Sequence, residues 1–293
     1  MLVFHKPFSE FGLSRVAGQL GHAARNSIRL AAAEPGEEAV SRLGGRPNLP
    51  AGLDWPASAK GPLAFVAQID LAVIPPIPEL GLPPSGSLFF FCAGKGSPEK
   101  PAHRDLFRVL FAGCPLAASR HRKFPKDLPP RFRWKALQYA VARTEASFPW
   151  PNDPIVEQFG LSRQEYQDYC RFSSHWMDSQ GEPPSQHRIG GYPNYIQRDP
   201  RFEAHLKSLD LWTGIWVKHG TAMENFVESS RRFSELERRL KPEASAWELL
   251  LQIDSEAGAN LKWGDMGRIY FLIQKDDLRA RRFENAWMVW ESC

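Results

Sequence analysis

No stretch of this 293-residue chain approaches the ~18 uninterrupted apolar residues of a membrane-spanning helix, because prolines and charges break every run. The opening segment Met1-Leu2-Val3-Phe4-His5-Lys6-Pro7 lacks the apolar core of a secretion signal, so a cytoplasmic protein with no membrane association is expected. Cysteine is scarce. Cys92, Cys114, Cys170 and Cys293 make no C-x-x-C pair and no metal-ligand spacing, which excludes a disulfide scaffold and a zinc ribbon and fits a reducing compartment. An excess of one charge is missing too: 37 Lys and Arg stand against 33 Asp and Glu, for a formal net charge of +4. The densest basic stretch is Arg120-His121-Arg122-Lys123, continuing to Lys126, Arg131, Arg133 and Lys135 with Phe124, Phe132 and Trp134 interleaved. It reads as a solvated loop and strand face, so nucleic acid is not an expected partner.

The common catalytic signatures are absent as well. There is no His-Glu-x-x-His and no Gly-x-Ser-x-Gly, and Gly94-Lys95-Gly96-Ser97 has Phe89 where a phosphate-binding loop requires glycine. No cysteine has a histidine partner suggested by its position, and a nucleophile needs a base within hydrogen-bond reach. Accordingly no catalytic residue, metal ligand or cofactor is assigned, and the balance leans against an enzyme.

What the chain does have is repetition. Arg42-Leu43-Gly44-Gly45-Arg46-Pro47-Asn48 returns as Arg188-Ile189-Gly190-Gly191-Tyr192-Pro193-Asn194. Gln68-Ile69-Asp70 returns as Gln252-Ile253-Asp254, and Gly86-Ser87-Leu88-Phe89-Phe90 is answered by Gly267-Arg268-Ile269-Tyr270-Phe271. The spacing is too long for a solenoid, whose units run ~20–50 residues. A single duplication is therefore expected, with units near 41–146 and 187–292 and a helical connector at 155–180. Two β-rich units bury their apolar faces best against each other. The expected fold is α+β: one β-rich body spanning 1–293, built from two duplicated, unequal half-domains with mostly antiparallel sheets and flanking helices.

Periodicity places one amphipathic helix over Phe8 to Ala24 and a strand at Ser27 to Ala31, followed by a polar turn at Glu34 to Glu37. Leu63 to Ile69 and Leu88 to Cys92 are continuous apolar runs, as strands covered on both faces require. The prolines between Leu71 and Pro84 make a stiff, extended connector. Further strands are expected at Leu106 to Phe111, Trp134 to Val141, Trp247 to Ile253, Arg268 to Ile273 and Ala286 to Glu291. Capping boxes at Ser162-Arg163-Gln164-Glu165 and Thr221-Ala222-Met223-Glu224 open two helices. The second carries an apolar stripe of Met223, Phe226, Val227, Phe233, Leu236 and Leu240 and is expected to stop at Pro242.

The polar residues with most promise are those of the repeated landmarks. If the halves are related by a pseudo-two-fold axis, Gln68 and Asp70 face Gln252 and Asp254, and the site there takes a cation or polar ligand. His187, just before the second Gly-Gly loop, stands as a general base or ligand contact near Asp254 or Asp265. The competing structural reading is the stronger one, since Gln or Asp at a buried strand end commonly satisfies backbone N–H groups of a neighbouring loop. Trp55 and Trp150, each beside a proline, frame either an aromatic groove or pinned loops.

Taken together, Gly44-Gly45-Arg46-Pro47, Trp55-Pro56, Gln68-Ile69, Gly86-Ser87-Leu88-Phe89-Phe90, Gly190-Gly191-Tyr192-Pro193, Leu250-Leu251-Gln252-Ile253-Asp254 and Trp263-Gly264-Asp265-Met266-Gly267 resemble the YwqG-like family of uncharacterised, mainly bacterial proteins. That resemblance covers roughly Ser41 to Glu291 and implies an internally duplicated α+β fold with no catalytic residues to carry over. It also implies a link to toxin loci. The expected function is thus a non-catalytic cytoplasmic protein that binds another protein through the cleft or edge between its two halves, of the toxin-neutralising or stress-related kind. The alternative is a small-ligand or cation binder, or an enzyme, with its site at the axis between the repeats.

Overall fold

The computed structural model describes residues 5–34, 41–114, 120–179 and 185–293. The N-terminal stretch forms two short helices, α1 (His5–Glu10) and α2 (Ala17–Ala23), instead of the single helix expected over Phe8 to Ala24. Gly12 takes a left-handed φ of 75° and a 3-10 turn follows at Ser14–Val16, so the apolar side chains reach one cluster from two directions. The strand β1 (Arg25–Ala32) follows directly. From residue 35 onward the expected turn lies outside the described residues.

After β2 (Ser41–Leu43) come three two-residue strands, β3 (Asn48–Leu49), β4 (Ala57–Ser58) and β5 (Gly61–Pro62). They lie outside the main sheet. β6 (Ala64–Asp70), β7 (Ser87–Cys92) and β8 (Phe107–Ala112) complete the first flank, and β7 is buried along its whole length, as its unbroken apolar run requires. β9 (Arg120–His121) pairs with β3. The long β10 (Leu137–Ser147) begins later than Trp134 because the Trp134 carbonyl accepts from Gly45 (2.9 Å) and the Lys135 N–H donates to Ala259 (3.0 Å).

Two helices, α3 (Pro154–Glu157) and α4 (Arg163–Ser179), fill the expected connector, whose last residue lies outside the described ones. The Ser162 capping box forms: Glu165 N–H donates to Ser162 Oγ at 3.2 Å, and Ser162 N–H to Glu165 Oε2 at 2.8 Å. Tyr169 and Phe172 of α4 pack with Phe8, Leu13, Val16, Leu20 and Phe148 in a cluster of their own. The second flank runs β11 (Arg188–Ile189), α5 (Pro200–Ser208), α6 (Ala222–Ala244), β12 (Trp247–Asp254), β13 (Arg268–Gln274), α7 (Lys275–Arg279) and β14 (Trp287–Glu291). The expectations from periodicity had omitted α5, whose entry is marked by Asp199 accepting from Arg201 N–H at 2.9 Å. α6 has the expected Thr221 capping box but continues through Pro242 to Ala244.

Ten strands make one sheet in the order β14-β13-β12-β11-β1-β10-β2-β6-β7-β8, with every neighbouring pair antiparallel. The sheet curls into a near-barrel whose edges meet through side chains instead of a backbone ladder. Phe107 and Phe111 of β8 contact Trp287 and Phe283 at 5.6 and 5.1 Å between ring centroids. Across the interior Phe90 of β7 meets Phe271 of β13 at 4.9 Å. The body is thus β-rich with flanking helices and an antiparallel sheet. On either side of the central β1–β10 pair the strands run outward in matching chain order, β2-β6-β7-β8 and β11-β12-β13-β14. Each flank interrupts its register at a corresponding place, between Phe65 and Ala67 and between Leu249 and Leu251.

Candidate functional site

The repeated Gln-Ile-Asp strand ends do one repeated job. Gln68, fully buried, accepts the Asn48 N–H through Oε1 at 2.8 Å, and Gln252, also fully buried, accepts the Asn194 N–H at 2.9 Å. In each flank the glutamine reaches from the sheet to the asparagine that closes a Gly-Gly-x-Pro-Asn loop, satisfying a backbone donor that would be orphaned under the loop. Gln252 also donates to the Gln186 carbonyl at 2.7 Å. The two glutamines do not meet on one axis. β6 and β12 are separated in the sheet by β2, β10, β1 and β11, which makes two polar clusters.

In the first cluster, Asp70 donates its N–H to Ser41 Oγ at 3.1 Å, and its carboxylate accepts from Ala72 N–H at 3.0 Å, capping the 3-10 turn Leu71–Val73. The second cluster is richer. Asp254 pairs with Arg268, whose guanidinium also donates to the Asn194 carbonyl, and accepts the Gln186 N–H. His187, fully buried, has both ring nitrogens engaged: Nδ1 accepts from Asp254 N–H at 3.2 Å, and Nε2 lies 3.3 Å from Glu256 Oε2. That acceptor role at Nδ1 leaves the proton on Nε2, facing Glu256. Tyr139 donates its hydroxyl to the same carboxylate oxygen at 2.9 Å. Asp265 stands apart as an exposed turn residue whose carbonyl accepts from Cys293 N–H at 3.0 Å.

The structure therefore brings His187, Gln252 and Asp254 together, sets Gln68 and Asp70 in a separate cluster, and leaves Asp265 at the surface. Sequence reasoning missed Tyr139, Glu256 and Arg268. Glu256 carried a faint signal, lying two residues beyond the second Gln-Ile-Asp. Trp55 and Trp150 pin loops, donating from Nε1 to the Leu63 and Pro193 carbonyls at 2.7 and 3.0 Å. In the basic stretch, Arg122 donates to the Pro50 and Leu53 carbonyls and Arg133 to those of Leu128 and Lys126. Among the described residues no group of three or more His, Cys, Asp or Glu side chains is placed to hold a metal ion, and no helix is long and apolar enough to cross a membrane.

The Glu256 carboxylate is held at about 2, chiefly by the hydrogen bond from His187; desolvation opposes this, and the Gly258 N–H and Tyr139 hydroxyl assist. Burial, first, and the nearby carboxylate push the Tyr139 phenol well up, so it remains a donor. A carboxyl whose folded value lies below its ordinary value of ~4.3 stabilises the fold above that pH and loses the contribution as pH falls through the folded value. The melting temperature of Glu256→Gln is accordingly expected to fall below wild type near neutrality, with the gap closing between about pH 5 and about pH 2. A gap that is constant over that range would remove the carboxylate from the account.

Residues 41–293 match the family described as a domain of unknown function, DUF1963. No curated protein matches the chain. The matched region begins at β2 and includes both Gly-Gly loops, both Gln-Ile-Asp strand ends and the His187 cluster, and over that span the chain belongs to the DUF1963 family.

Proposed function

We propose that this chain is a non-catalytic, cytoplasmic protein-binding protein that docks a partner's apolar helix face on the N-terminal half of α6. One observation carries this. Met223, Phe226 and Val227, at i, i+3 and i+4 of the apolar stripe read from the sequence, are 71%, 69% and 58% exposed. The same stripe is covered further along, where Phe233, Leu236, Leu240 and Ala244 pack with Phe202, Leu206 and Trp212. Beside the uncovered residues, Trp216, Val217, Phe226 and Phe233 line a groove of about 380 Å³. A contiguous apolar patch with an aromatic anchor is the usual form of a helix-docking surface.

The alternative reading, a ligand or catalytic site at the Gln-Ile-Asp ends, ranks second because the polar atoms of His187, Gln252 and Asp254 are committed to the loops they pin. Kinship with the bacterial YwqG-like proteins and a toxin-neutralising role are proposals that rest on the motifs. Duplication of a half-domain is supported further by the matching strand order, the matching register breaks and the two equivalent Gln-to-Asn hydrogen bonds. Four free cysteines fit a reducing compartment.

A photoreactive residue at position 226, in cells of the protein's own host, tests the docking face. One adduct of discrete mass is expected at position 226, none from position 279, where the Arg279 side chain is 77% exposed, and none after Met223→Glu with Val227→Glu. Identical adducts from both positions would overturn the proposal, as would their absence. An adduct at twice the chain mass would replace the heterologous partner by a second copy.

A further inference from the structure

Three arginines stand directly opposite one another across the centre of the sheet. Arg29 of β1 is paired with Arg143 of β10 on one side and with Arg188 of β11 on the other. Cross-strand partners share a face, and like charges in that position repel. Arg29 and Arg188 are also buried, at 1% and 6% exposure, while the Arg143 side chain is 44% exposed. One carboxylate serves all three: Glu145 lies 3.2 Å from Arg29, 3.6 Å from Arg188 and 3.0 Å from Arg143 Nε. The nearby Arg268 is balanced by Asp254. With Arg143 reaching water, two buried guanidinium groups share a single buried carboxylate, so among the described residues one positive charge is left over.

The donors are left over too. Among the described residues Arg29 has only the 3.2 Å ion pair of Nη2 with Glu145 Oε1 and no aligned hydrogen bond, and Arg188, which donates from Nη2 to Gln186 Oε1 at 2.9 Å, makes none from Nε. Buried donors of this kind are ordinarily satisfied, and an exception marks a place for a water, an ion or a ligand. Against this row, under α4, lies a cavity of about 30 Å³ lined by Glu145, Arg188, Asn194, Trp176 and Ser173. Trp150 and Met177, both half-buried, also line it.

We propose that this cavity binds the head group of a small monocarboxylate, held by Arg188 with Arg29 behind it. The planar guanidinium fork matches a planar two-oxygen anion, a single negative charge balances the excess, and the volume admits a carboxylate but no ring. The tail of the acid lies against Trp150 and Met177. None of these residues belongs to the α6 face, so the two proposals stand or fall separately.

Thermal melts of the full chain with sodium acetate or propionate, at fixed ionic strength, test the site. Saturating acid is expected to raise the melting midpoint by about 3 °C, whereas acetamide, which lacks the charge, leaves it unchanged. Arg188→Met should abolish the response. If that variant does not fold, Met177→Trp decides, because it puts a larger side chain into the cavity wall while leaving both arginines in place, and it too should abolish the response. An acetate response that survives Met177→Trp overturns the site, and the absence of any response in the wild type overturns the binding. An equal response to chloride or phosphate overturns the assignment to a carboxylate.

Discussion

Replacing Arg201 by methionine is expected to remove about 3–5 kcal/mol of stability, since a broken buried ion pair leaves uncompensated charge behind. Arg201 is 4% exposed, and its Nη2 sits 2.5 Å from Asp153 Oδ2 and 2.6 Å from Asp199 Oδ2. Burial alone would lower the guanidinium, but the two carboxylates outweigh it and hold it well above its ordinary value. Each aspartate also caps a helix: Asp153 accepts from Ile155 N–H at 3.0 Å at the start of α3, and Asp199 from Arg201 N–H at the start of α5. The same guanidinium lies 5.3 Å from the ring of Tyr192, inside the second Gly-Gly loop. One side chain therefore ties two helix starts to that loop. Methionine nearly preserves the volume and strands both carboxylates. Arg279→Met breaks only the exposed pair with Asp276, side chains 77% and 86% exposed, and should cost at most about 0.5 kcal/mol. Urea midpoints compare the two, and an Arg201→Met midpoint no lower than that of Arg279→Met would remove the buried cluster from the account.

Much of this arrangement could be read from residues close in sequence. The capping boxes at Ser162 and Thr221 depend only on neighbours three positions apart, and both form. The apolar runs at β6, β7, β12 and β13 are strands because their composition fits a surface covered on both sides. What could not be read depends on register and cover. The row Arg143, Arg29, Arg188 arises from pairing strands that lie far apart in the chain, and none of the repeated landmarks contains Arg29. The same two strands, β1 and β10, stand between the Gln-Ile-Asp ends and turn one expected axis into two clusters. Helical spacing placed Met223, Phe226 and Val227 on one face but carries no information about what covers that face. The break in the N-terminal helix had a local mark in Gly12, which the apolar spacing on either side masked.

The second large effect is expected in the repeated glycines themselves. Gly191→Ala and Gly45→Ala should each cost about 2–5 kcal/mol: ~1–2 for a left-handed conformation in a residue with a Cβ, and ~1–3 for overpacking. Gly191 has φ 71°, and an added Cβ would lie 2.4 Å from Ser147 Oγ and 2.9 Å from Ser27 Cβ. Ser147 has nowhere to turn, because its hydroxyl accepts from Tyr192 N–H at 2.9 Å and donates to the Arg25 carbonyl at 3.1 Å. Gly45 has φ 70°, and its Cβ would lie 2.5 Å from that of Ala136, in a segment held by the Trp134 and Lys135 backbone bonds. Gly52 separates the two contributions, having φ 93° with open space around the added atom. Gly52→Ala should therefore show the conformational cost alone, about 1–2 kcal/mol. If Gly45→Ala and Gly191→Ala unfold at the same urea concentration as Gly52→Ala, the loops are held by dihedral preference alone, and their close approach to Ala136 and to Ser27 and Ser147 is not what stabilises them. If both fall well below it by similar amounts, each Gly-Gly loop is held by close backbone approach, Gly45 to Ala136 just before β10 and Gly191 to Ser27 and Ser147, which is what copies of one half-domain would do.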